Sequence, residues 1–398
     1  MAKKTSIIKQ KKAAFPKPRD ILRMSRLWVG IAGFIFCVVV IYISDFTNIG
    51  LPHRFIVERA LVHSVVDSAL HPDHYLQTIY LGSQVAEIEV LTGQFAGQRL
   101  QIIHTLTRFS NLRLQDGMEA LISIVPGAEY LEAQNISIYG PSRAPVLIGS
   151  IVIIIVGMLI MGRMKGFYAA YTLIFTLIMV VYFMIAAIIR GESPVVFALL
   201  TAIITTSFTL CMVAGISRQS LAAIGGTWSG LAAAGLFSVV LGRLANVSGM
   251  HLDHSWQMVY QSPPGVFIRI PELFFAAIIV AASGAVVDAA MSISSAVFEI
   301  KEQSPGITTK RLYGSGMRIG GDILGANSDT LILAFVGASL PTLILISMFG
   351  FPFLRIINSD MVAVEIIQGV SATMGMLIGI PATALFSAIL ATRNDKKV

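Results

Sequence analysis

Asp288 stands near the middle of "GAVVDAAMSISS" (residues 284–295), in a stretch otherwise apolar enough to cross a bilayer. A carboxylate at a bilayer centre costs about 2.5–3.5 kcal/mol on insertion scales, so an intramembrane acid is read first as a functional group. At helical spacing Gly284, Asp288, Ser292, Ser295 and Glu299 share one stripe. Carboxylate and hydroxyl oxygens suit a proton or a hard cation such as Na⁺. Asp322, Asn327, Ser328 and Asp329 follow in "GGDILGANSDTLIL", read as the start of the next span, and extend the candidate site. For Asp288 the competing role is a structural acid hydrogen-bonded to a neighbouring helix. For Asp322 and Asp329 it is helix capping.

A second pattern uses histidine. Two tetrapeptides match as H-x-D-H: "HPDH" (His71, Asp73, His74) and "HLDH" (His251, Asp253, His254). Imidazole plus carboxylate suits Zn²⁺, or a protonation switch near pH 6.5. Chance clustering in polar loops is the alternative. There is no H-E-x-x-H, G-x-S-x-G, phosphate-binding loop or dinucleotide fingerprint, so no enzyme activity and no organic cofactor are expected. Cys37 and Cys211 lie in apolar runs and read as small buried hydrophobes.

The elements that hold these residues are membrane spans. The chain has 398 residues, 55% hydrophobic and 13% charged, where a soluble domain carries about 25% charged residues. Apolar runs predict eight spans at 27–44, 144–162, 166–189, 193–214, 219–242, 272–298, 327–349 and 364–391. With the N-terminus inside, 19 of the 29 Lys and Arg and all 11 lysines fall on the cytoplasmic side. That is the positive-inside pattern, with both termini cytoplasmic in the cell membrane. The net charge of +7 reflects this pattern, so nucleic-acid binding is not inferred.

The organisation expected is a basic tail (1–26), an anchor (27–44), an extracytoplasmic β-rich domain (45–142), a seven-helix core (143–391) and a short tail (392–398). In the extracytoplasmic block (45–142) "QVAEIEVL", "RLQIIHTL" and "NISIYG" read as strands, with "TGQFAG" and Asp116-Gly117 as turns. They suggest a small barrel or sandwich, preceded by a more helical 54–76. Gly226/Gly230 and Gly375/Gly379 have the spacing of close helix packing. Pro341 and Pro381 should kink spans 7 and 8 or free carbonyls there. Between spans 6 and 7 a charged hairpin is expected, turning at Pro305-Gly306.

"GAVVDAAMSISSAVFEIKEQSP", "SGMRIGGDILGANSDTLILAFVGASLP" and "AAIGGTWSGLAAAGL" resemble the YibE/F-like family of bacterial membrane proteins. The likeness is ordered over about 220–390 and collinear through spans 2–4 and the β-rich block. It implies a multi-pass protein and brings no established substrate or reaction. Asp288 matches the family's pattern.

The expected function is that of a transporter or permease for a small solute or ion, with Asp288 as the proton- or cation-binding group. The alternative is a structural or signalling protein whose ectodomain binds an envelope partner. The bilayer is the expected surrounding, and a homo-oligomer is compatible with either.

Overall fold

The computed structural model describes residues 18–44, 56–108, 110–125, 131–250, 255–260 and 268–393. Eight of its helices are long and apolar enough to cross a membrane. They are α1 (Pro18–Ser44), α2 (Ala144–Gly162), α3 (Met164–Ile189), α4 (Pro194–Ala214), α5 (Arg218–Leu244), α6 (Ile270–Gln303), α7 (Thr309–Ala338) and α8 (Asp360–Thr392). Their ends carry ordinary start signals. Pro194 opens α4, where a missing N–H costs nothing. Ser217 and Ser220 form a capping box on α5. Thr308 and Ser359 cap α7 and α8.

The chain divides into two compact units, residues 47–160 and the remainder. In the first, strands β1 (Ile56–Asp67), β2 (His71–Pro72), β3 (Tyr80–Val90), β4 (Arg99–Leu106), β5 (Glu119–Ile124) and β6 (Ile136–Pro141) form one antiparallel sheet, curled as a half-barrel. β1 is central, pairing β3 on one side and β5 on the other. The stretch 54–76, expected to be more helical, is therefore corrected: 56–67 is a strand. Ala60 and Val62 alternate into a core with Ala86, Ile88, Val90, Ile122 and Ile124, and five of the twelve residues of β1 are β-branched, which favours a strand. Gln84 is buried inside the unit but fully used. Its amide donates to Asp67 and to the Leu114 carbonyl, and its oxygen accepts from the Leu114 N–H at 2.9 Å. That pairing pins the loop before β5 to the sheet.

In the second unit α5, α6 and α8 carry the most buried residues of the spans. Gly226 and Gly230 of α5 face Thr383, Gly375 and Gly379 of α8, as the spacing implied. α1 packs on α3 and α4 through Cys37, Val40, Phe175, Met179 and Phe208, and the Tyr171 hydroxyl donates to the Gly30 carbonyl at 2.9 Å. Both cysteines are free. α3 contains a π-helical stretch over Met179–Ile185.

Span 7 departs from its expected limits. α7 begins at Thr309, inside the expected charged hairpin, and stops at Ala338; a separate short helix covers Leu340–Met348. Pro341 lies in the first turn of that short helix. With no N–H and a ring that crowds the preceding turn, it separates the two segments. Pro381, by contrast, is accommodated inside a continuous α8.

Candidate functional site

α6 is 34 residues long, and between Glu272 and Glu299 its only charged residue is Asp288. Its inner face is set by apolar contacts. Val286, Ala289, Ile293 and Val297 pack with Leu312 of α7 and Met376, Ile380 and Ala384 of α8. Ile293 and Val297 lie roughly 140–180° around the helix from Asp288. The stripe Gly284, Asp288, Ser292, Ser295 and Glu299 is therefore turned away from α8, and all five residues are exposed. Asp288, Ser292, Ser295 and Glu299, with Met291 and Ala296, line an open groove of about 560 Å³ along α6. Among the described residues no hydrogen bond or ion pair engages the Asp288 carboxylate.

Two glycines set the register of α7 against α6. A Cβ on Gly316 would touch Val297 at 3.0 Å, and one on Gly320 would touch Ile293 at 3.2 Å. In this antiparallel register Gly325 lies level with Asp288 and Asp329 level with Gly284. Arg318, Asp322, Gly325 and Asp329 recur on one exposed stripe of α7, also turned from α8. Ile293 and Val297, which meet Gly316 and Gly320, lie on the far side of α6 from Asp288. Asp288 on α6 and Asp322 and Asp329 on α7 therefore each sit on an exposed face turned from the α6–α7 contact, and the lining of the Asp288 groove comes from α6. Asp322 and Asp329 lie well inside α7 and do not cap it; Thr308 does. Asn327 and Ser328 are turned inward, and the Ser328 hydroxyl is buried without a partner among the described residues. The sequence reading missed the depth of Asp329 because hydropathy shifted span 7 toward the more apolar 339–349.

The histidine pattern has a different outcome. His251, Asp253 and His254 lie outside the described residues. In "HPDH", His71 and His74 are exposed and Asp73 is buried. Asp73 Oδ1 accepts from the N–H groups of Tyr75 (2.7 Å) and Leu76 (3.2 Å), and Oδ2 from Arg108 Nε at 2.5 Å. The Arg108 bond, then the Tyr75 N–H, holds this carboxyl below the usual carboxylate range. The arrangement closes a turn and ties it to Arg108. Among the described residues no three His, Cys, Asp or Glu side chains gather as a metal-binding group.

Two further carboxylates on the sheet are held low in the same way. Glu89 accepts from His63 (2.7 Å) and Arg99 (2.8 Å), and the His63 bond is the larger cause. Asp67 is lowered first by Gln84 and then by Arg113. No sequence signal pointed to these pairs, because each joins residues from different strands or loops.

No match to the chain was found among curated proteins or among solved structures. The family model for YibE/F-like proteins matches residues 150–393, a span that runs from α2 through α8 and contains the Asp288 groove. Matched over more than half its length, this multi-pass chain belongs to the YibE/F-like family.

Proposed function

We propose that this protein is a transporter or permease that moves a proton or a hard cation along the exposed face of α6, with Asp288 as the binding carboxylate. The observation that carries the reading is the groove: it leads from Glu299, near one end of α6, along Ser295 and Ser292 to Asp288. A structural acid would be packed or bonded, whereas this one borders open space. Ser292 and Ser295 supply neutral oxygens beside the charge, which suits a partly dehydrated cation or a proton relayed through water. Asp329, level with Gly284 by the α6–α7 register, supplies a second carboxylate at nearly the same depth on α7. The lysine distribution orients the bundle with the turn between α6 and α7 on the cytoplasmic side of the cell membrane.

Purified protein in proteoliposomes, loaded with a pH- or Na⁺-sensitive dye, tests this directly. Asp288→Asn should abolish ion-dependent flux while leaving the protein folded. Unchanged flux would remove the assignment and leave the alternative, in which the β-rich unit binds an envelope component and the helices anchor it.

A further inference from the structure

Away from the Asp288 face, a cavity of about 700 Å³ opens between α1, α3 and α4. Its walls are Leu27, Gly30, Ile31 and Phe34 of α1, and Met164, Phe167, Tyr168 and Tyr171 of α3, with Met212 of α4. Ligand sites have this size and this character, mostly apolar with few polar groups. Among the described residues lining it, Arg26 is the charged one. Arg26 is the second residue of the apolar part of α1 (Ser25–Ser44), so it marks the end of that span. Its guanidinium lies 5.4 Å from the centre of the Tyr168 ring, and its Nε is buried with no hydrogen-bond partner among the described residues. A buried N–H of a cation favours an acceptor, and the rest of this half-buried guanidinium is open to an anion.

Gly30 and Phe34 follow Arg26 at four-residue steps, so the cavity runs inward for roughly 12 Å from the cation. An occupant must therefore bring an anion at the end of a span and hydrocarbon below it. The N-terminal residues 1–17 cannot bring the anion, because they contain six basic residues and no acidic one. We propose that this cavity binds an anionic phospholipid of the bilayer, its headgroup phosphate on Arg26 and an acyl chain along Gly30 and Phe34. Arginine suits the task, since its fork matches phosphate geometry. The site is separate from the Asp288 groove, and its occupation does not depend on transport.

The test is native mass spectrometry of the full chain released from nanodiscs of phosphatidylcholine with one-third phosphatidylglycerol. Wild type should retain one phosphatidylglycerol per chain in preference to phosphatidylcholine. Arg26→Gln should lower that preference by about tenfold, the loss expected for one charge-assisted hydrogen bond, and Arg26→Lys should keep part of it. Gly30→Leu should abolish retention of either lipid by filling the slot. A Cβ at Gly30 has room, with Met212 Cε at 3.8 Å, so the fold is preserved. Equal retention of the two lipids by wild type overturns the proposal, and this measurement needs no variant. So does unchanged phosphatidylglycerol retention in Arg26→Gln or Gly30→Leu, or equal thermal stabilisation of lipid-stripped protein by inorganic phosphate.

Discussion

Gly230 of α5 and Gly375 of α8 approach so closely that a Cβ on Gly230 would lie 2.7 Å from the Gly375 carbonyl oxygen. The same atom would lie 2.7 Å from Val286 of α6, so three helices meet at one absent side chain. Lipid gives helices no hydrophobic reason to associate, and close backbone contact supplies dispersion instead. Gly230→Ala should therefore destabilise the bundle by about 1–3 kcal/mol, the usual cost of overpacking. Gly325→Ala is the control. Its Cβ would meet open space, so stability should hold or rise by up to about 1 kcal/mol from helix propensity. Thermal unfolding in detergent compares the two.

Asp329 provides a check on the α6–α7 register. If it lies at the depth of Gly284, Asp329→Asn should lower ion flux, as Asp288→Asn does. An interfacial Asp329, capping a span that starts near 327, would tolerate the change. Flux measured for both variants in the same proteoliposome preparation decides between these positions.

The β-rich unit should be acid-sensitive. Asp67, Asp73 and Glu89 all have folded-state carboxyl values below their ordinary ones, so the unfolded chain takes up protons first. Their contribution is present above about pH 4 and fades as pH falls through the lowered values. Hydrogen exchange of residues 56–141 in the full chain should show protection constant from pH 7 to 5, once corrected for intrinsic rates, and declining below 4. Loss of protection on raising the pH across that range would contradict the assignment.

Gly82 should resist substitution more than any exposed turn glycine of the sheet. Its φ is +124°, and a Cβ there would lie 1.9 Å from the Ala69 carbonyl oxygen. Gly97, at φ +86°, has open space around it. Gly82→Ala should cost at least about 2 kcal/mol, since strain and a backbone clash add, and Gly97→Ala about 1. Exchange rates of the β3 and β4 amides report both.

Asp73→Asn separates the two duties of that carboxylate. An amide oxygen still accepts from the Tyr75 and Leu76 N–H groups, while the ion pair with Arg108 is lost. Turn amides at 75 and 76 should stay protected in Asp73→Asn and open in Asp73→Ala. Equal opening in both would show that Arg108 alone holds the turn.

The sequence by itself determined the spans, because a run of about 20 apolar residues is a local property that bilayer thickness makes readable. Seven of the eight expected spans lie within about five residues of α2–α6, α8 and the apolar part of α1 (Ser25–Ser44). It also determined the strands carrying "RLQIIHTL" and "NISIYG", and the Asp288 stripe, since helical spacing alone places Gly284 to Glu299 on one side. What only the tertiary structure decided depends on pairing between distant segments. The charged first half of α7 packs on α6 and α8 through Gly316 and Gly320, and hydropathy could not see a helix that starts in charged sequence. The central place of β1 follows from partners some 25 and 60 residues away. Arg26 gained meaning only when α3 and α4 closed a cavity beneath it. Composition sets where a segment can reside; contact between segments sets which polar groups are left without partners, and those are the groups that point to function.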